Sequence, residues 1–229
     1  MALKALQTEA APFGWIEISD SALQRLRREL EQKGQGVVDE MGVLAIHAGY
    51  ADYFFPGTSV LQTRPRYLFF WQHTPTATDE IGKECLSQWY ASRFEVEGLV
   101  FETAERYMMY RKSVLFGDLG KGQQILGAPD PAMAKALGRS VRGFSDAVWK
   151  EHRSGICIDG NCAKFSQSPP LRAFLLQTKP CVLVEASPVD RVWGIGLAAE
   201  HEHASDALKW RGQNLLGFAL MAVRDRLEE

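Results

Sequence analysis

Residues 181–197, CVLVEASPVDRVWGIGL, and 209–217, KWRGQNLLG, frame the reading of the whole chain. Val182 to Val184 is an apolar, valine-rich run between polar and turn residues, the pattern of a short buried strand. Ser187-Pro188 ends that regularity by forcing an extended or turn backbone. Asp190, Arg191 and Trp193 then follow within one loop, before Gly194 and Gly196 let the backbone pass close to a neighbour. After a His-rich spacer, Trp210-Arg211-Gly212 leads into 214-NLLGFALMAVRDRL-227, where Leu215, Leu216, Ala219, Leu220, Val223 and Leu227 recur at helical spacing. A strand, a polar loop and a helix start in succession are where small polar or anionic ligands are held.

Outward from this frame, 229 residues suffice for one large domain or a domain with an extension, with a sizeable core. A formal net charge of −2 supplies no global basic field for duplex nucleic acid, although a local phosphate pocket remains compatible with it. The four cysteines, Cys85, Cys157, Cys162 and Cys181, form no C-x-x-C pair, and no signal pattern follows Met1. Reduced thiols in a cytoplasmic protein are therefore expected. His201-Glu202-His203 is the one close histidine pair, and its setting among Glu200, Ser205 and Asp206 reads as solvated loop rather than metal site. No apolar run approaches the ~20 residues of a membrane helix, so no membrane association is expected.

From the N-terminus, residues 1–12 are polar and alanine-rich and are expected to be disordered. Ser21 to Gln24 has capping-box spacing, with Leu23, Leu26 and Leu30 on one stripe of a helix ending before Gly34. Val43 to Ile46 reads as a strand and Tyr53 to Gly57 as a segment ending in a turn. The stretch 36–70, GVVDEMGVLAIHAGYADYFFPGTSVLQTRPRYLFF, resembles the opening of a family of uncharacterised bacterial proteins, so residues 1–64 are set apart as an N-terminal extension or subdomain. Tyr67 to Trp71 is an aromatic strand, and Phe94 to Phe101 alternates on both sides of Glu97-Gly98, a hairpin. Thr103 caps a helix running to Gly117. On it Glu105 and Lys112, seven residues apart, share a face about 10 Å from each other with Met108 and Met109 between them. Such an acid and amine either straddle a ligand of sugar-phosphate size or are ordinary surface charges. GDLGKGQQ, 117–124, lacks the P-loop order and reads as a loop. Asp130-Pro131 opens one helix, and Ser145 or Asp146 another carrying Trp149 and Arg153 four apart. Asn161 to Gln167 reads as helical, with Gly155 and Gly160 blurring its limits, and Ser168-Pro169 starts the next helix.

Taken in order, 86-LSQWYASRFEVEGLVFETAERYMMYRKSVLFGD-118, 125-ILGAPDPAMAKALGRSVRGFSDAVWKEHR-153, 161-NCAKFSQSPPLRAFLLQT-178, 183-LVEASPVDRVWGIGL-197 and 210-WRGQNLLGFALMAVR-224 resemble the NADAR family. The resemblance spans residues 67–224. It implies an α+β fold, a helix-rich single domain around a small β-sheet, here over residues 65–229. It also implies N-glycosidase activity, since the family includes enzymes acting on early riboflavin-pathway intermediates and enzymes removing ADP-ribose from guanine. On that basis Glu105, Lys112 and Asp190 are the expected catalytic residues, lining one pocket.

Breaking a base-to-ribose C–N bond passes through an oxocarbenium-like state, which a carboxylate stabilises while it orients water. Glu105 or Asp190 takes that role, the other holding ribose hydroxyls or the leaving base. Lys112 either attacks the opened sugar as an amine or holds a phosphate as an ammonium. Trp89, Tyr90 and Trp193 are stacking candidates and Trp149 with Arg153 a further substrate-binding pair. Arg211 and the amides around Gly212 to Asn214 are candidates for a 5′-phosphate at the helix start, with Asn214 alternatively a plain helix cap. The expected substrate is a small nucleotide-like or ADP-ribosylated molecule, with modified nucleic acid as a further partner, and neither metal nor cofactor is expected. The competing reading is a non-catalytic module binding ADP-ribose or a related nucleotide, and a third makes the chain an interaction protein built on its N-terminal part.

Overall fold

A computed structural model describes residues 66–75 and 80–228. The helix read at Ser21, the strand at Val43, the turn after Tyr53 and the N-terminal subdomain as a whole lie outside the described residues. Among the described residues the order is β1 (Tyr67–Phe70), β2 (Phe94–Val96), β3 (Leu99–Phe101), α1 (Ala104–Leu115), α2 (Leu119–Leu126), α3 (Pro131–Arg139), α4 (Asp146–Ser166), α5 (Pro169–Gln177), β4 (Val182–Glu185) and α6 (Leu215–Glu228), with short 3-10 turns at Lys83–Leu86 and Ala207–Lys209. This is the expected helix-rich α+β architecture, its sheet reduced to two separate strand pairs. The described residues fall into two compact units, one of 66–70 with 178–225, the other of 71–75, 80–177 and 226–228.

In the first unit β1 and β4 pair in parallel, Tyr67 opposite Val182 through Phe70 opposite Glu185. Val182, Leu183 and Val184 are fully buried, as an uninterrupted apolar strand requires. Leu215 to Met221 of α6 is buried without a break, the mark of a helix covered on all sides. Its approach to β4 depends on Gly217: a Cβ there would lie 2.1 Å from the Leu183 carbonyl oxygen.

In the second unit Glu97 and Gly98 both have positive φ, 52° and 77°, which gives the β2–β3 hairpin the turn whose twist matches its strands. Thr103 caps α1 by accepting from the Arg106 N–H. The stretch 117–124, expected as loop, lies largely within helix α2, which spans 119–126. The Asp118 carboxylate caps it through the Lys121 N–H, Ile125 is buried, and Gly122 lies so close to Ser113 that a Cβ would be 2.7 Å from its Oγ. Cap and close packing outweigh the glycines' intrinsic cost to a helix. Asp130 and Pro131 open α3 as expected, with Met133 N–H on the Asp130 carboxylate.

Helix α4 runs unbroken from its Ser145 cap to Ser166, so the two segments read around Gly155 and Gly160 are one. Gly160 marks a close helix crossing, since a Cβ there would be 2.4 Å from the Tyr107 ring. Gly138 does the same for α3: a Cβ would be 2.1 Å from the Met109 sulfur on α1. The Met109 side chain, which lies between Glu105 and Lys112 along the helix, is packing that seats α3 on α1.

Candidate active site

Helix α1 begins at a cap, and its first turn carries Glu105, which is buried at 3% exposure. The helix start directs partial positive charge at that carboxylate. Its backbone N–H donates to the Gln88 carbonyl, so the turn bearing Trp89 and Tyr90 is tied to the residue expected to do chemistry. That turn is anchored from α4 as well. The Gln88 amide donates to Asn161, and the Lys164 ammonium donates to the carbonyls of Cys85 and Ser87 at 2.6 and 2.9 Å. Lys164 is fully buried and its amine is pushed down to about 8 by burial. Burial pushes the neighbouring Cys85 thiol up to about 12, which removes it as a nucleophile near neutral pH.

Lys112 lies on the same helix as Glu105, two turns along. Its Nζ is 4.3 Å from the centroid of Phe144 and 5.4 Å from that of Trp149. Burial, with the positive charge of Arg139 adding to it, lowers its pKa below 10.5, and the Glu105 carboxylate opposes this in part. Burial raises the share of the neutral, nucleophilic amine relative to a free lysine, while the two rings favour the cation they face. Trp149 is thus a buried wall of the Lys112 environment. Arg153, one turn further on α4, is buried too. Trp89 and Tyr90 are half-buried, and Trp89 has His73 at 5.6 Å and the Lys135 ammonium at 5.7 Å from its ring.

In the other unit Asp190 Oδ1 accepts from the N–H groups of both Val192 and Trp193, each at 2.8 Å, closing the loop on itself. The amides of Gln213, Asn214, Leu215 and Leu216 donate to the carbonyls of Arg191, Gly194, Val192 and Trp193. The amides of Gln213 and Asn214, expected to help hold a 5′-phosphate, are thus engaged by carbonyls of the 190–194 loop. Gly212 is a packing glycine, its Cβ position 2.3 Å from the Gly194 carbonyl oxygen. Asn214, at φ 54°, is more than a simple cap, because its side chain accepts from the Glu185 N–H and donates to the Leu183 carbonyl, both at 2.9 Å. Arg211 is exposed.

Residues 69–228 match the family model described as the NADAR domain. The chain belongs to the NADAR family. N-glycosidase R617 of Acanthamoeba polyphaga mimivirus is 38% identical to it over 169 residues, 72% of this chain and 98% of that protein. N-glycosidase YbiA of Escherichia coli K12 is 29% identical over 152 residues, 66% of this chain and 85% of its own. The NMR structure of Escherichia coli YbiA matches with a TM-score of 0.58 at 25% identity, covering 74% of this chain and 90% of that one. A riboflavin biosynthesis protein of Vibrio vulnificus, VVA0006, is 30% identical over 144 residues, 63% of this chain and 35% of that protein. NADAR relatives thus include proteins named N-glycosidases, hydrolases of N-glycosyl bonds.

Within this NADAR domain, Phe144, Arg139, Asn161 and Lys164 escaped the sequence reading. The signal for the α4 pair is present: Trp149, Arg153, Cys157, Asn161 and Lys164 recur every three or four residues, a mixed polar and apolar stripe on the buried face of a long helix. Phe144 and Arg139 gave no periodic signal, since one lies in a loop and the other ends a helix.

Asn214→Ala supplies a first expected outcome. It leaves the Glu185 N–H and the Leu183 carbonyl without their partners and puts alanine in the left-handed region, so unfolding free energy should fall by about 3 kcal/mol. Chemical denaturation measures it. A variant of native stability with a raised KM would instead return Asn214 to substrate binding.

Proposed function

We propose that this chain is an N-glycosidase that hydrolyses the C–N bond between a base and a ribose phosphate or an ADP-ribose. The observation that carries this reading is a buried carboxylate and an aromatic-walled amine on one helix, Glu105 and Lys112, in a family with members named N-glycosidases. Glu105 stabilises positive charge at C1′ and orients water. In the opening step the C1′–O4′ bond breaks, O4′ takes a proton and C1′ becomes an iminium carbon to the base nitrogen. The neutral Lys112 amine adds there, and the C1′–base bond breaks as the base takes the proton released by the amine. Water then hydrolyses the resulting lysine imine to the sugar aldehyde and the free amine. Trp89 and Tyr90 offer half-buried rings on which a base can stack. Trp193 and Arg211 contact substrate under the same reading.

The deciding experiment incubates the protein separately with ribosylaminopyrimidine phosphates and with ADP-ribosylated guanosine, and looks for released base by mass spectrometry. Release from one and not the other names the substrate class. Tight binding of both without release would replace the enzyme by a nucleotide-binding module.

Asp190 is proposed as the second functional carboxylate, and its substitution is informative because asparagine keeps the oxygen that holds Val192 and Trp193. Asp190→Asn is expected to keep native stability while kcat/KM falls by roughly tenfold or more, the effect of losing a charged acceptor for a sugar hydroxyl. Unchanged kcat/KM would confine Asp190 to shaping its loop.

A further inference from the structure

We infer that the edge of α3 bearing Lys135 and Arg139 is the subsite for the phosphate end of the substrate, a phosphate monoester or diphosphate on ribose. The inference rests on the proposed N-glycosidase reading and adds to it the group by which substrate is held.

The placement follows from how α3 is seated. Ala134 and Gly138, one turn apart, are its buried residues, and Gly138 lies directly against Met109 of α1. Met109 lies between Glu105 and Lys112 in that helix, so α3 crosses α1 beside the expected chemistry. Lys135 and Arg139 each follow one of the two buried residues and are rotated about 100° from them, so both project along a single edge of α3. The two ends of that edge are identified independently. Lys135 Nζ is 5.7 Å from the Trp89 ring, and Arg139 follows Gly138, which lies against Met109, one turn of α1 before Lys112. The edge therefore leads from a half-buried indole to the proposed nucleophile.

Two features of charge then point to an anion. Lys135 and Arg139 are an i, i+4 pair of like sign, an arrangement that costs an isolated helix a little stability. Among the described residues, neither forms an ion pair with a carboxylate. Arg111, Arg142 and Lys150, by contrast, are each paired with a carboxylate, Glu97, Asp118 and Asp146 respectively. Side chains four apart on a helix start about 6 Å from each other, so an ammonium and a guanidinium can close on one phosphate or on neighbouring phosphates of a diphosphate. The rival place for this group, the start of α6, has its amides committed to carbonyls of the 190–194 loop. With phosphate held on α3, Lys112 is free to act as an amine.

The test uses the full chain and its Lys135→Gln and Arg139→Gln variants. Ribose 5-phosphate, with ribose as the control, is the probe for an activity-independent measurement: protection of Lys135 from acetylation, read by mass spectrometry. Ribose 5-phosphate is expected to protect Lys135 in the wild type and ribose is not, and Arg139→Gln should weaken that protection about tenfold, the loss of one charge-assisted contact. In kinetics, the ratio of kcat/KM for a phosphorylated substrate to that for its dephosphorylated form should fall about tenfold in each variant. Adding a diphosphate-linked substrate separates the two sources, since a site built for diphosphate shows the larger fall there. Equal labelling with and without ribose 5-phosphate, or an unchanged kcat/KM ratio in both variants, overturns the subsite. Phosphate-dependent protection in a protein that hydrolyses no N-glycoside overturns the proposed reaction and leaves the subsite standing.

Discussion

Glu105→Gln is expected to lower kcat by about 10² to 10⁴ while substrate affinity changes only severalfold, because the charge is felt mainly in the transition state. The substitution is nearly isosteric, which matters at a side chain only 3% exposed. It also leaves the local backbone intact, since the contact from residue 105 to the Gln88 carbonyl is made by the main-chain N–H. The variant should therefore fold, which far-UV dichroism and a melting curve verify before kinetics. A fall in kcat/KM carried by kcat identifies charge stabilisation at C1′ or water activation. A rise in KM with kcat preserved would make Glu105 a binding residue and move the chemistry elsewhere.

The features legible in the sequence were those written in local chemistry. The Glu97-Gly98 turn, the Thr103, Asp130 and Ser145 caps and the Val182 to Val184 run each act within a few residues, and each element lies where its signal placed it. The misreadings share a cause as well. Glycine at 155 and 160 reads as a blurred helix limit and 117–124 reads as a loop, yet α2 and α4 pass through Gly120, Gly122, Gly155 and Gly160. At Gly122 and Gly160 the missing side chain serves a close approach to Ser113 and Tyr107, a tertiary requirement that no local pattern carries. The same holds at the start of α6. Asparagine before an apolar helix reads as a cap, but Asn214 spends its amide on β4, with Gly217 leaving the room for it.

The candidate site divides along this line too. Glu105 and Lys112 were legible as a shared helical face. That the Lys112 amine is walled by Phe144 and Trp149 was not, because Phe144 comes from a loop and Trp149 from a separate helix. Helical periodicity places residues on a face and is silent about what covers it. Arg139 is invisible for the same reason: its effect on Lys112 depends on α3 crossing α1 at Gly138.

Lys112→Arg is expected to reduce turnover by at least about 10³, since a guanidinium keeps the charge but does not attack carbon. Arginine also stacks on aromatic faces, so the Phe144 and Trp149 surroundings accept it and the loss reports chemistry rather than collapse. Two further results must accompany it if the amine is the nucleophile. Borohydride added during turnover should reduce the imine and add the mass of the sugar to the peptide containing Lys112, with no adduct in Lys112→Arg. The pH dependence has a definite sign as well. Only the neutral amine attacks, so wild-type kcat should rise with pH through the amine's titration. Burial and the charge of Arg139 place that titration below 10.5, bringing the rising limb down toward the working range. Substantial activity in Lys112→Arg, no trapped adduct and no such limb would together make Lys112 a charge that neutralises phosphate, and would leave Glu105 and activated water to break the bond.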